Sequence, residues 1–196
     1  GPAGPPGGSI GIQLVDANNY HIHDFIITRY ETGIDFNAAL KYCEMNVIEN
    51  FRITGGGTGT HWAFVFHGLA AADFDHNIIR DFFVDGSGSG ASASNVLFFS
   101  NVTIQSAQNL QVLNGTLFAS HVDQSFLHIA NAAHTLNRSR FFMHRAVAAG
   151  YTTFHPFVFD AAGSVAYEGF IDSGGTVSGA GTLTTNTWPW QVGNLT

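Results

Sequence analysis

The sequence predicts an all-β protein, a right-handed parallel β-helix of about six coils that forms a homotrimer. Three observations support this fold class. Two different segments recur along the chain with one shared period, both have the apolar spacing of a strand, and no stretch sustains the spacing of a helix. The 196 residues suffice for one domain with a sizeable core.

The first recurring segment is an apolar strand that follows a polar residue. Its first apolar residue falls at Phe25, Phe51, Phe82, Leu110, Phe141 and, more weakly, Phe170. The steps are 26, 31, 28, 31 and 29 residues. Apolar residues two apart belong on one face of a strand, and Phe, Ile and Val favour such half-buried surfaces.

A second segment recurs between the copies of the first. Its third residue falls at Phe36, Phe66, Phe99, Ile129 and Phe159, with steps of 30, 33, 30 and 30 residues. Strands that return at one period without helices predict a stack of coils, and connections between parallel strands favour the right hand. Glycine-rich turns are expected after the first segment, at 55–59, 86–90, Asn114-Gly115 and 173–175.

Three parts of the chain are predicted. Residues 1–9 form a linker, in which Gly1–Gly7 carries the Gly-X-Y spacing of collagen and indicates three chains in register. A flexible linker is the alternative, and Gly1-Pro2 also fits a cleavage scar. Residues 10–175 form the β-helix. Residues 176–196, with Trp188 and Trp190, form a cap or a tail that closes the trimer.

The composition argues against several kinds of partner and environment. Only 11% of residues are charged and the formal net charge is −7, so a nucleic acid is not an expected partner. The single cysteine cannot form an intramolecular disulfide. No apolar run reaches the length of a membrane-spanning helix, so membrane insertion is not expected.

The residues between inward positions should point outward and align in two columns. The first column is Ile26, Arg52, Phe83, Gln111, Phe142 and Ile171, and the second is Asp35, Val65, Phe98, His128 and Val158. Soluble monomers avoid large apolar patches. The apolar members are therefore predicted at a trimer interface: Ile26, Val65, Phe83, Phe98, Phe142, Val158 and Ile171. A terminal tail folded over them is the alternative.

With these features the chain resembles the pectate-lyase-like superfamily of right-handed β-helices, in particular the trimeric tailspikes and tail fibres of bacteriophages. The resemblance covers about residues 10 to 172 and rests on architecture, not on a motif. It implies a virion-surface protein, in contact with other virion proteins, that attaches to a host-surface glycan. Cleavage of that glycan by a depolymerase is the alternative, and a purely structural capsid decoration or fibre shaft is a third.

Candidate catalytic carboxylates are Asp73, Asp75 and Glu49, with Glu44 nearby in the sequence. Glycoside hydrolysis needs two carboxyl groups about 5 to 9 Å apart, and residues two apart on a strand share a face. Acidic surface residues at turns are the alternative. A coil-to-coil contact between Glu49 and Arg80 is also expected. The short chain favours binding over catalysis.

Candidate glycan-binding residues are Trp62, Trp188 and Trp190, because flat aromatic rings fit the apolar faces of sugars. His21 and His23 lie on one face of a strand and are the candidate metal ligands. A single His-x-His is weak evidence, so neither a metal nor a cofactor is expected. Other histidines, including His67 and His76, are expected to be hydrogen-bonded.

Overall fold

The computed structural model describes residues 9–54, 61–68, 72–85, 94–99, 105–119, 124–130, 135–147, 154–160, 164–172, 178–179 and 182–185. Every regular element in these ranges is a β-strand, which confirms the all-β class. All strand pairs are parallel, and the strands form a seven-stranded sheet, sheet A, and a nine-stranded sheet, sheet B.

Sheet A contains β1 (Ile10–Val15), β3 (Thr32–Ala38), β5 (His61–Gly68), β8 (Ser94–Phe99), β11 (Gln124–Ile129), β13 (Phe154–Phe159) and β15 (Ser178–Gly179), paired in that order. Sheet B contains β2 (His21–Thr28), β4 (Val47–Thr54), β7 (Ile78–Asp85), β10 (Gln111–Ala119), β12 (Thr135–Val147), β14 (Ser164–Asp172) and β16 (Thr182–Thr185). Two short strands, β6 (Ala72–Asp73) and β9 (Gln105–Gln108), join sheet B through β12.

The chain alternates between the two sheets, and each strand pairs with the strand that next returns to its sheet. In sheet A the predicted register is confirmed in every copy. The positions Ile34, Phe64, Leu97, Leu127 and Phe157 pair in succession from β3 to β13. Both predicted families of strands are therefore separate sheets, each built from residues about 30 positions apart in the chain.

The core between the sheets is filled by stacked phenylalanine rings. In sheet B, Phe51 lies 4.9 Å from Phe25 and 5.2 Å from Phe82, measured between centroids of nearly parallel rings. Phe64 of sheet A meets the edges of Phe51 and Phe82 at 5.8 and 5.7 Å. These contacts confirm that Phe25, Phe51 and Phe82 lie in one column, and they join both sheets in one core.

The predicted register of the first family is wrong from its fourth copy onward. The sequence aligns Leu110 with Phe82, but the residue opposite Phe82 is Gly115. The chain contains two asparagines in this region, and Asn114, not Asn109, lies beside Asp81 with its Nδ2 donating to Asp81 Oδ1 at 3.0 Å. The predicted turn at Asn114-Gly115 is accordingly part of strand β10.

Gly115 ends the phenylalanine column because there is no room for a side chain. A Cβ atom at this position would overlap the ring of Phe82 and the Sδ atom of Met143. Met143, not Phe141, is the next residue in the column, since β12 lacks the extra residue that β10 has before Gly115. Consequently Phe142 lies outside the outward column of Ile26, which continues instead through Thr116.

That extra residue is a bulge with a left-handed backbone, and it recurs at the same place in four strands of sheet B. The φ angles are 59° at Asp24, 52° at Asn50, 55° at Asp81 and 52° at Asn114. Asp and Asn tolerate this conformation better than other side chains except glycine. The recurring Asp or Asn before the apolar run is thus a backbone requirement of the bulge.

A buried asparagine ladder lies where the chain enters sheet B. Asn46 and Asn77 are both fully buried, and Asn46 Nδ2 donates to Asn77 Oδ1 at 3.0 Å. Asn77 Nδ2 donates to the carbonyl oxygens of Cys43 and Phe74, each at 2.9 Å. The side chains thereby satisfy backbone groups that the bend between the sheets leaves without strand partners. Leu110 occupies the next position and is also buried.

At its two ends the described part of the chain begins at Ser9 and finishes with two short strands. Strand β1 begins at Ile10, and Ser9 before it accepts backbone hydrogen bonds from Glu31 and Thr32. Two short strands inside the predicted tail, β15 and β16, extend both sheets. The predicted linker up to residue 8 and the residues Trp188 and Trp190 lie outside the described residues. Nowhere in the described part is there a helix long and apolar enough to cross a membrane.

Candidate functional site

The first group of candidate residues lies on the outer face of sheet A. In a strand every second side chain points away from the core. Ile34 and Phe36 are fully buried, so Asp35 between them points outward. His128 lies between the buried Leu127 and Ile129 in the same way. Asp35 and His128 belong to one register column, which runs through Val65 and Phe98.

Asp35 forms a preorganised pair with a histidine. Only 3% of its side chain is exposed, although it points outward. Gln13 Nε2 donates to Asp35 Oδ2 at 2.9 Å, and His67 Nε2 lies 2.7 Å from Asp35 Oδ1. A buried carboxylate needs such partners, and here they fix both its own orientation and that of the half-exposed imidazole.

A second histidine–carboxylate pair lies on the same face and contacts the tryptophan. His128 Nε2 lies 2.8 Å from Asp160 Oδ2, and the Asp160 side chain is 54% exposed. The ring of Trp62 is 5.3 Å from the ring of His128, at an angle of 58°. Trp62, the predicted glycan-binding residue, is thus a half-buried aromatic ring that contacts the histidine partner of an exposed carboxylate.

The predicted catalytic residues fall into two separate environments. Asp73 and Asp75 lie at the corner before β7, near Glu44, and we call these three the corner carboxylates. Burial raises the pKa of Glu44, and the negative charges of Asp75 and Asp73 raise it further. Asp75 Oδ1 also accepts the backbone N–H of Gln108 at 2.7 Å. The corner is a place where one carboxyl group holds its proton more strongly than usual.

Glu49 belongs to a different surface, the outer face of sheet B. Its carboxylate lies 2.6 Å from His21 Nε2 and 2.5 Å from Arg80 Nη2, so the predicted contact with Arg80 is confirmed. The hydrogen bond from His21 and then that from Arg80 lower the pKa of Glu49. A carboxylate whose pKa is lowered by hydrogen bonds from His21 and Arg80 is suited to an ion-pair network and not to acid catalysis.

The candidate metal ligands are also engaged with carboxylates. His21 contacts Glu49, and His23 Nδ1 lies 2.7 Å from Asp24 Oδ2. The contact with His23, followed by the hydrogen bond from Asn50, lowers the pKa of Asp24. Over the described residues, no group of three or more His, Cys, Asp or Glu side chains is arranged to hold a metal ion.

The predicted trimer-interface residues are found in three states. Ile26 is 70% exposed and Phe142 is 43% exposed. Val65, Phe83 and Val158 are half-buried, and Phe83 packs under the guanidinium of Arg52 at 5.1 Å. For Phe98 and Ile171 the structure describes the strand position alone. Ile171 pairs with the buried Met143, so its predicted place in the outward column of Ile26 is wrong.

Sequence reasoning placed Asp35 and His128 in an outward column but missed their pairing with His67 and Asp160. The signal was available in the periodicity. In each pair, one residue is a polar member of the outward column. The other lies two positions after the residue opposite it in the neighbouring strand, and this spacing brings the two side chains within reach. The contact between the rings of Trp62 and His128 crosses from β5 to β11, two strands away in sheet A, and no such sequence pattern predicts it.

Comparisons with known proteins add no assignment. No protein-family model matches the chain, and neither the curated proteins nor the solved structures contain a significant match.

Proposed function

We propose that this chain is one subunit of a homotrimeric, right-handed parallel β-helix, and that the trimer is a viral fibre or spike that attaches a virion to a host-surface glycan. The alternation of the chain between two parallel sheets supports the β-helix, since each return to a sheet adds one coil. The hand follows from the preference of parallel connections.

The exposed apolar side chains on sheet B support the trimer. Ile26 is 70% exposed in a single chain, and Phe142 is 43% exposed. Burial of such side chains against neighbouring subunits removes apolar surface from water. Collagen-like spacing at the start of the chain gives independent support for three chains.

The observation that carries the glycan-binding role is Trp62 beside the His128–Asp160 pair. An aromatic surface with a few fixed polar groups is the composition of a saccharide-binding site. The exposed carboxylate of Asp160 can accept hydrogen bonds from sugar hydroxyl groups. Asp35 and His67 supply a second fixed polar pair on the same face.

A glycan array probed with the purified protein tests this role. The wild-type protein is expected to bind at least one surface glycan, and Trp62→Ala should weaken that binding by about 5-fold or more, if a sugar stacks as strongly as a nucleic-acid base, at about 1–3 kcal/mol. Tyr20→Ala, which removes an exposed ring just before the first strand of sheet B, is the matched control and should bind normally. Equal binding by Trp62→Ala would contradict the assignment of the site.

Sedimentation equilibrium tests the trimer. The double variant Ile26→Asp, Phe142→Asp introduces two charges at exposed apolar positions and should shift the mass from three subunits toward one. Asn18→Asp adds a charge at an exposed corner position and should leave the mass unchanged. A wild-type chain that sediments as a monomer at micromolar concentration would exclude the trimer.

Polysaccharide depolymerisation is the second candidate, and the raised pKa of Glu44 beside Asp73 and Asp75 favours it. A carboxyl group whose pKa is raised by neighbouring carboxyl groups is the arrangement of a general acid and its partner. Reducing ends released from a bound polysaccharide, lost in Glu44→Gln and Asp75→Asn but kept in Glu49→Gln, would establish this activity. Trimers that bind no glycan would support the purely structural role.

A further inference from the structure

The charged side chains are divided unequally between the two sheets. The chain has seven Lys and Arg residues. Five of them lie in strands of sheet B: Arg52, Arg80, Arg138, Arg140 and Arg145. The other two, Arg29 and Lys41, lie between strands. The described strands of sheet A therefore contain neither lysine nor arginine.

The histidines of sheet A do not replace these cations. His67 Nε2 lies 2.7 Å from Asp35, and His128 Nε2 lies 2.8 Å from Asp160. Whichever protonation state an imidazole has, each pair carries a net charge of zero or of −1. The nitrogen atoms that face the carboxylates are also not available to an anionic ligand.

Recognition of an acidic sugar has requirements that this face does not meet. Carboxylate and sulfate groups are usually bound by arginine or lysine, because charge-assisted hydrogen bonds offset the loss of hydration. Here the ligand would instead meet the exposed carboxylate of Asp160, on a chain with a formal charge of −7. Like charges brought together at a binding face disfavour that ligand.

Uncharged sugars suit the same groups. The ring of Trp62 offers an apolar surface for the C–H face of a hexose, and the oxygen atoms of Asp160 accept hydrogen bonds from adjacent hydroxyl groups. The carboxylate of Asp35 is buried and already contacts Gln13 and His67, so it does not present a charge to the ligand.

We infer that the outer face of sheet A, at Trp62 and Asp160, binds neutral glycans and discriminates against acidic ones. This inference rests on the proposed glycan-binding function and specifies its ligand class. It predicts that binding depends little on salt, because no ion pair forms between the ligand and the protein.

A panel of neutral and uronic-acid- or sialic-acid-containing oligosaccharides, titrated at 20 and 500 mM salt, tests the inference. Neutral ligands should bind at least 10-fold more tightly than acidic ligands at low salt, and their affinity should change less than 2-fold at high salt. Asp160→Arg should reduce this preference by at least 10-fold. Trp62→Ala should weaken the binding of neutral ligands.

A wrong ligand class and an absence of glycan binding give different results in this experiment. Binding of acidic glycans as tight as that of neutral ones, still dependent on Trp62, would overturn the ligand class and leave the glycan-binding function standing. Unchanged selectivity in Asp160→Arg, in protein with a wild-type thermal midpoint, would also overturn it. No binding of either class would overturn both the inference and the proposed function.

Discussion

Sheet A and sheet B line one core with the same kinds of side chain, but they differ in register and in outer-face charge. Sheet A keeps a single register from β3 to β13, whereas sheet B changes register at Gly115 and carries five of the seven Lys and Arg residues. The inward positions are constrained by packing and so are similar. The outward positions are less constrained by packing, and it is there that the two sheets differ in charge.

The largest expected effect tests whether both sheets share the core equally. Phe51→Ala in sheet B and Phe66→Ala in sheet A should each lower the free energy of unfolding by about 3–5 kcal/mol, the cost of removing a buried ring. Phe51 is 6% exposed and Phe66 is fully buried. Urea denaturation measures both, with Leu40→Ala, which truncates an exposed side chain, as control. A loss well below 1 kcal/mol in either variant would show that its sheet does not share the core.

The asparagine ladder should be the next most sensitive feature, and it belongs only to the entrance of sheet B. Asn77→Ala removes the acceptor of the buried backbone N–H of Asn46 and the donor to two buried carbonyl oxygens, although the Asn46 side chain still donates to Ala17. The free energy of unfolding should fall by about 3 kcal/mol. Asn114→Gly removes an exposed hydrogen bond at a left-handed position and should change it by under about 1 kcal/mol. Similar losses in the two variants would contradict the buried ladder.

A third experiment tests whether the bend between the sheets is closed to solvent. Burial raises the pKa of the Cys43 thiol to about 11. At pH 8 its thiolate fraction is then roughly 100-fold below that of a free cysteine, so the reaction with a thiol reagent should be at least 100-fold slower. Unfolding in guanidinium should restore the free rate, with one thiol per chain. Rapid labelling of the native protein would show an open corner.

The smallest effect concerns the charges of sheet B. Their partners lower the pKa of Glu49 and of Asp24 below the ordinary values of 4.5 and 3.8. The resulting stabilisation is complete above those values and is lost as the pH falls through the lowered pKa. The thermal midpoint of the wild type should therefore fall below pH 4.5 more steeply than that of Glu49→Gln with Asp24→Asn.

The pKa of Glu44 is shifted in the opposite direction, so its effect on the pH dependence of stability is also opposite. Its pKa is raised in the folded chain, so its ionised form opposes folding as the pH rises through that pKa. Glu44→Gln should accordingly raise the thermal midpoint at pH 7 and leave it unchanged at pH 3. A midpoint that falls at pH 7 would contradict the unfavourable position of this carboxylate.

Much of the fold could be predicted because the apolar residues that are buried in the core recur at a regular spacing in the sequence. The columns of Phe25, Phe51 and Phe82 and of Phe36 and Phe66 follow directly from apolar residues that return at one period. The register of the fourth copy could not be predicted, since Asn109 and Asn114 are chemically equivalent starting points. Only the space left by Phe82 and Met143 selects Gly115, and with it Asn114.

The sequence by itself determined which side chains enter the core in sheet A and in the first three copies in sheet B, because strand alternation and the hydrophobic effect act locally on each copy. The tertiary structure alone decided which outward groups meet. Asp35 reaches His67, and Trp62 reaches His128, across strands that lie 32 and 66 residues apart in the chain. Such contacts depend on the relative offset of whole strands and on ring orientation, and neither is written in the spacing of apolar residues.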